Sequence, residues 1–315
     1  MSERPRIAIF VDKPDWHTRR LKRAFAGRGA DAVQVSLADC GFALASGRHG
    51  LQLPGFVDTL PAGAFVRIIP GGSFEQVTMR LGVLHALRES GVPVCNDARV
   101  VERCVDKSMT SFLLHRAGIP TPPTWSIESA DQARALVRSE VRPGRPLVLK
   151  PLFGSQGRGL RLIDKADSLP PPEETAGVYY LQHYVACPPP GWRDWRVFVI
   201  GGRAVAAMIR HGVQWRTNAS QGARCEGVAA SGEIADLSVA AAAAVGASYA
   251  GVDIIQAASG ERLVLEVNSM PAWRALQQVC AVDIADRVAG ELMAALPAPA
   301  QVRELRRPRR ATGRR

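Results

Sequence analysis

The hydrophobic pattern along this chain changes character near residue 119. Before it, short apolar runs alternate with helical stretches. "RIAIFV" (6–11) reads as a buried strand, helical signals cover residues 15–26, and Gly27 and Gly29 stop them. "AVQVSL" (32–37) and "AFVRII" (64–69) read as further strands, with a helix over 74–89 and a short strand, "VPVC", at 92–95. Alternating strands and helices predict a small parallel α/β unit over residues 1–100. No G-x-G-x-x-G follows the first strand, so nothing there points to a dinucleotide site.

A helix then opens after Asp106, a residue suited to N-capping, and closes at Gly118. The proline-rich "IPTPPTW" (119–125) is a linker, and beyond it the chain reads as hairpins. Strands fall at "PLVLK" (146–150), "LRLID" (160–164) and "VYYLQ" (178–182), after which "CPPPGW" breaks the chain. "WRVFVI" and "RAVAAMI" flank Gly201-Gly202, a strong hairpin signal. An alanine-rich helix covers 234–244, "GVDIIQ" and "RLVLEVN" form the last hairpin, and a helix begins near residue 282. The expected organisation is an α/β unit (1–100), a hairpin-rich α+β domain (101–295) and a tail (296–315).

Composition narrows the setting. The 315 residues, 47% of them hydrophobic, suffice for about two domains with real cores. The apolar run at 7–11 is far too short for a signal peptide. The longest apolar stretch, 239–245, is mostly alanine and falls short of the ~18 residues of a membrane span. Six scattered cysteines without paired spacing predict a reduced, cytoplasmic protein with no zinc site and no membrane partner. Residues 303–315 hold seven arginines against one glutamate, so they carry +6 of the net +11. That tail reads either as a solvated, disordered terminus or as an arm for an acidic partner. The body without it is only mildly basic.

The chemistry is densest in "VLEVNSMPAW" (264–273). Val264, Leu265 and Val267 suit a buried strand, whereas Glu266 and Asn268, two apart, share one face of it. With Ser259-Gly260 as a two-residue turn, Asp253 falls directly opposite Glu266. Facing carboxylates repel and call for a cation. Asp253, Glu266 and Asn268 offer only oxygen ligands, which suits magnesium. The plainer alternative, in which Glu266 and Asn268 cap the following turn, leaves Asp253 unexplained.

Upstream, "LVLKPLFGSQGRGL" (147–160) ends a strand at Lys150 and continues with Gly154, Gly157 and Gly159. No G-K-S/T opens a helix, so this is not a Walker loop. A glycine hairpin can present backbone N–H groups to phosphates, with a lysine beside them as a point charge. A flexible surface hairpin is the alternative. Lys107 taken alone reads as solvated, and Asp194 and Arg196 in "GWRDWRVF" as a surface ion-pair face. "QWRTNASQG" (214–222) is a polar loop.

In order, these pieces, with "YYLQHYV", "RDWRVFVIGGRAVAAMIR", "WRTN" and "AGVDII", resemble the ATP-grasp ligases over about 64–295, most closely the RimK-type glutamate ligases. The resemblance implies an α/β N-terminal unit followed by ATP-grasp α+β subdomains that hold ATP between them. Lys107 and Lys150 match lysines that contact ATP phosphates, and Gly154, Ser155, Gln156, Gly157 and Gly159 match the phosphate flap. Gln182, His183, Tyr184 and Val185 match the hinge that reads adenine through backbone groups, with His183 where relatives usually carry glutamate. Asp194 matches a ribose-side contact, Arg216, Thr217 and Asn218 a nucleotide-binding loop, and Arg210 the arginine that stabilises the reacting phosphate. Asp253, Glu266 and Asn268 match ligands of Mg2+ or Mn2+.

The implied reaction activates a carboxylate as an acyl phosphate and joins it to an amine. The amine implied is L-glutamate. The acceptor is an acid, either a small molecule such as a tetrahydromethanopterin-type C1 cofactor or the tail of a ribosomal or carrier protein. "NSMPAWRALQ", with Trp273 and Arg274, resembles the cofactor branch. Arg67 and Arg274 are candidate forks for a substrate carboxylate, and a homo-oligomer is expected. Two other classes compete. A nucleic-acid-binding protein on a nucleotide fold needs basic and aromatic residues interleaved on the body, and here the excess charge sits in the tail. A kinase-like phosphotransferase forms no acyl phosphate.

Overall fold

The computed structural model describes residues 4–45, 49–154, 157–188, 191–217 and 222–297. Ser155, Gln156, Asn218 and the arginine-rich tail lie outside the described residues. The chain divides into two compact units, residues 1–95 with 289–315, and residues 96–288.

The first unit contains β1 (Arg6–Phe10), α1 (Trp16–Gly27), β2 (Asp31–Val35), β3 (Gly41–Phe42), β4 (Leu51–Gln52), β5 (Gly63–Val66), α2 (Phe74–Glu89) and β6 (Val94–Cys95). Its four-stranded sheet runs β2-β1-β5-β6, all parallel. β1 is central, and Ile7, Ala8, Ile9 and Phe10 are buried at 0–1% exposure. That accounts for an unbroken apolar run where an alternating one would do at an edge. α1 starts where expected because Asp15 and Thr18 form a reciprocal capping box. The small β3-β4 hairpin was not legible in the sequence.

The second unit opens with α3 (Ala98–Val105) and α4 (Lys107–Arg116), then β7 (Thr124–Ile127), α5 (Ala130–Glu140), β8 (Leu147–Lys150), β9 (Arg161–Ile163) and β10 (Tyr179–His183). There follow β11 (Trp192–Ile200), β12 (Arg203–Gly212), β13 (Arg224–Val228), α6 (Glu233–Val245), β14 (Tyr249–Gln256), β15 (Arg262–Asn268), α7 (Arg274–Val279) and α8 (Ile284–Ala294), whose residues from Ala289 on group with the first unit. Two antiparallel sheets result, β7-β10-β8-β9 and β13-β12-β11-β14-β15. The β11–β12 turn is Gly201-Gly202, both at positive φ, as a type I′ turn requires.

Each sheet buries one face against helices. Leu147, Leu149, Tyr179 and Leu181 pack on Ala133 and Val137 of α5. Trp195, Val197, Val199, Val252 and Ile254 pack with Ala241, Ala242 and Val245 of α6 and with Leu113 and Leu114 of α4. Alternation then sends Val148, Lys150 and Gln182 of the first sheet, and Asp194, Arg210 and Asp253 of the second, to the opposite faces, where all six line one cleft.

Asp253 does pair with Glu266, but by another route than a two-residue turn. Ala257 N–H donates to Glu261 O at 2.8 Å and Gly260 N–H to Ala257 O at 2.9 Å, with Gly260 at φ +92°. The loop is therefore the three residues 258–260, which sets Ile254 opposite Val264 and would leave Asp253 opposite Leu265. A bulge between Asp253 and Ile254 takes up the extra residue and brings Glu266 into place. It also lets Val264 and Val267, three apart, enter the same core.

Candidate active site

Five charged side chains stand in a row across the five-stranded sheet because register puts them there. On β11, Asp194 and Arg196 are two apart and share a face. Asp194 lies opposite Arg210 of β12, and Arg196 opposite Asp253 of β14, which in turn faces Glu266 of β15. Arg210 donates from Nε to Asp194 Oδ1 at 2.7 Å and from Nη2 to Oδ2, and its Nη2 lies 3.1 Å from Asp253 Oδ1. Arg196 grips Asp253 through Nε to Oδ1 and through Nη2 to Oδ2 at 2.6 Å. The expectation of a surface pair between Asp194 and Arg196 is thereby corrected. Each pairs across to a neighbouring strand instead, and both Asp194 and Asp253 are 3% exposed. Arg196, expected on the surface, belongs to the cleft-side row of charges instead.

The row sorts its carboxylates. Burial alone would raise Asp253, but the guanidinium groups of Arg196 and Arg210 outweigh it and hold its carboxyl well below the usual range. Glu266 is pushed up, first by burial and then by the facing charge of Asp253. Asp194 is raised by burial against the pull of Arg210. Arg210 keeps its charge throughout, because Asp253 and Asp194 overcome its own desolvation.

This arrangement fits a divalent cation. Arg196 and Arg210 hold Oδ1 of Asp253 and Arg196 also holds Oδ2, and the Asp253 and Glu266 carboxyls lie within hydrogen-bond reach of each other, close enough for one cation to serve both. Asn268 Nδ2 donates to Glu266 Oε1 at 3.1 Å and to Gly251 O at 3.3 Å, so a cation at this site would meet the amide oxygen and not the amide nitrogen. The donor set is all oxygen, and Glu266 is the carboxylate that most needs the positive charge.

On the facing sheet, burial brings the Lys150 ammonium down to about 8 against the pull of Glu266. Lys150 Nζ donates to Gln182 Oε1 at 2.6 Å. Lys107, at the first position of α4 after the Asp106 cap, is not the solvated lysine that its isolated context implies. Its Nζ donates to Leu152 O at 3.0 Å and Gly154 O at 3.1 Å, at the root of the glycine hairpin, and burial lowers it, opposed by Glu266 and Asp106. Gly157 and Gly159 have φ of +67° and +75°, and a Cβ at Gly159 would sit 2.8 Å from Pro151 Cγ. The hairpin needs glycine there. Arg216 Nη2 ties the 214–217 loop to it through Leu160 O at 2.6 Å, and Thr217 bonds Asp194.

The hinge is more constrained than the resemblance implies. His183 N–H donates to Pro123 O at 2.9 Å and Tyr184 N–H to Pro146 O at 3.1 Å. These two backbone N–H groups are therefore already engaged, which narrows the N–H groups that this stretch can offer a base. The His183 ring turns to Glu140, 3.1 Å away, and lies 5.2 Å from the Trp125 ring. Asp194 gives both oxygens to Arg210, so a ribose contact would have to share them.

Arg67 and Arg274, the two arginines expected to hold a substrate carboxylate, fall in different units. Arg67 is buried in the first, 3.6 Å from Asp15 Oδ2 and 3.4 Å from His17 Nδ1. Arg274 is exposed at the start of α7. Neither lines the cleft. Trp273 is fully buried against Tyr249, so it is a core residue.

Residues 104–292, more than half of the chain, match the RimK-like ATP-grasp domain. The chain belongs to the RimK-like ATP-grasp family. It is accordingly an ATP-grasp ligase of the carboxylate–amine class. Among relatives of this family, the tetrahydromethanopterin:alpha-L-glutamate ligase of Methanococcus maripaludis is 33% identical over 294 residues, covering 91% of this chain and 98% of that protein. A probable alpha-L-glutamate ligase of Pseudoalteromonas atlantica is 30% identical over 292 residues, 90% of this chain and 93% of the relative. The RimK-like ATP-grasp fold is shared with the ATP-grasp ligase PsnB, solved in complex with a precursor variant, Mg and ADP. The TM-score is 0.71 at 21% identity, over 93% of this chain and 98% of PsnB. Among the described residues no helix is long and apolar enough to cross a membrane.

Proposed function

We propose that this chain joins the amine of L-glutamate to a carboxylate of an acidic acceptor, a tetrahydromethanopterin-type C1 cofactor, and converts ATP to ADP and phosphate. The observation that carries the reading is the convergence of Lys107, Lys150, Arg210, Asp253 and Glu266 on one cleft beside a glycine hairpin. The names of its relatives supply the substrates. Lys107 and Lys150 bind the ATP phosphates under the hairpin of Gly154, Gly157 and Gly159, and adenine lies against Val185. Arg216 and Thr217 close the far side. Asp253, Glu266 and Asn268 would hold magnesium, which when bound would supply charge neutralisation at the phosphates.

An acceptor carboxylate oxygen attacks the γ-phosphorus and ADP leaves, giving an acyl phosphate. The glutamate amine, its ammonium proton given up to solvent, attacks the acyl carbon. The tetrahedral intermediate collapses to the amide as the bond to the phosphate oxygen breaks, and the departing phosphate takes the second proton of the nitrogen. Arg210, aimed by Asp194 and permanently charged, offers preorganised positive charge to the oxyanion and the departing phosphate. The test is a screen of amino acids and acids for ATP- and magnesium-dependent release of ADP, with the amide identified by mass. Glutamate with a pterin-cofactor acid should stand out. Turnover only with a protein tail, or with no amino acid, contradicts the assignment.

A further inference from the structure

The two lysines assigned to ATP stand on different elements, yet one half-buried chain of hydrogen bonds connects their supports. Ser111, one turn after Lys107 on α4, bonds the Tyr180 hydroxyl at 2.8 Å. Tyr180 bonds Thr124 of β7. Gln182 Nε2 donates to Thr124 Oγ1 at 2.9 Å, and Gln182 Oε1 accepts from Lys150 Nζ at 2.6 Å. Tyr180 and Gln182 are two apart on β10, so they share the cleft-side face. Gln182 is 1% exposed.

The orientation of the Gln182 amide follows from the hydrogens. Thr124 Oγ1 spends its one proton on Pro122 O, 2.7 Å away. It must therefore accept from its other neighbours, so Gln182 turns its NH2 toward Thr124 and its carbonyl toward the lysine. A flipped amide would set donor against donor at Lys150. The choice of residue also has a consequence. A carboxylate at this position would hold the ammonium but cancel its charge, whereas an amide oxygen holds it and leaves the full charge for a phosphate.

We propose that the Gln182 side chain is a positioning residue for Lys150: anchored through Thr124, it fixes the ammonium in the cleft without neutralising it. The inference rests on the assignment of Lys150 to the ATP phosphates, and goes beyond it by giving the hinge a role in phosphate binding through a side chain. Calorimetric titration of the full chain with ATP and magnesium tests it, with no ligase substrate present. Gln182→Leu should raise the dissociation constant about tenfold, the effect of losing one charge-assisted contact. In a Lys150→Ala background the same substitution should change it by less than about twofold, because its effect passes through the lysine. Gln182→Glu, nearly isosteric and checked for folding by circular dichroism, should also bind ATP more weakly, with a shallower salt dependence. A further tenfold loss in the Lys150→Ala background means that Gln182 acts on the nucleotide independently and overturns the proposal. So does wild-type affinity in Gln182→Glu. Wild-type affinity of Lys150→Ala alone would instead overturn the phosphate assignment together with it.

Discussion

Arg196→Leu should destabilise the protein sharply in the absence of any ligand. Arg196 makes two hydrogen bonds to Asp253, and the two side chains are 11% and 4% exposed. Removing one partner of such a pair strands a buried charge, which costs about 3–5 kcal/mol. Arg210 remains 3.1 Å from Asp253 and offsets part of the loss, so the lower end, about 3 kcal/mol, is expected. For a domain of this size each kcal/mol lowers the midpoint by about 2–4 °C, which gives a fall of about 6–12 °C. The assay is thermal and urea unfolding of Arg196→Leu, Asp253→Ala and the double variant at neutral pH. The double variant should be less destabilised than the sum of the singles by at least about 2 kcal/mol, since no charge is then left alone. A loss below about 1 kcal/mol in Arg196→Leu, or strict additivity, would show that the row of charges is not an electrostatic unit.

Glu266→Ala should abolish magnesium-dependent ADP formation without lowering the melting midpoint of the metal-free protein, because it removes a carboxylate that faces Asp253; near-normal turnover in a folded variant would rule out its ligand role. Lys107→Ala and Lys150→Ala should each weaken ATP binding about 10- to 150-fold, the value of a charge-assisted contact, as measured by titration. Burial brings Lys150 down to about 8, so in the free protein it loses its proton as pH rises through that value. Bound phosphate favours the charged form, so ATP binding above about pH 8 takes up a proton and weakens with rising pH, and below it does neither; calorimetry in buffers of different ionisation heat reads the uptake directly. Deleting residues 303–315 should leave the turnover number with a small acceptor unchanged, and steady-state kinetics at low and high salt would expose a role for the arginines if it falls.

Much of the second unit was legible because its chemistry sits on strands with short, well-marked turns. The Asp106 cap placed Lys107, and the spacing of Glu266 and Asn268 marked one strand face; the glycine pair 201–202 marked the β11–β12 turn, but a register shift between Phe198 and Val199, which the sequence does not announce, is what sets Asp194 opposite Arg210. The bulge at Asp253 was not legible, since nothing in "GVDIIQ" or "RLVLEVN" announces an extra residue. The facing pair emerged because an assumed two-residue turn and an unseen bulge shift the register by the same one residue. α5 was passed over although Ser129 caps it and Ala133 and Val137 carry its buried stripe at i, i+4 spacing. Arg196 was misassigned because two charges two apart on a strand look like partners, whereas side chains on one strand face pair more closely with the neighbouring strands. That Gln182 and Thr124 touch is a fact of strand pairing, which local sequence does not encode.

The central claim is that an acid is activated by transfer of the γ-phosphoryl group to its own oxygen. An acceptor carboxylate enriched in heavy oxygen, incubated with the protein, ATP, magnesium and glutamate, tests this in a single turnover analysed by mass spectrometry of the phosphate released. The account predicts that each phosphate carries one oxygen from the acceptor and that one amide forms for each ADP. Phosphate free of the label, or ADP formed without amide, would contradict it.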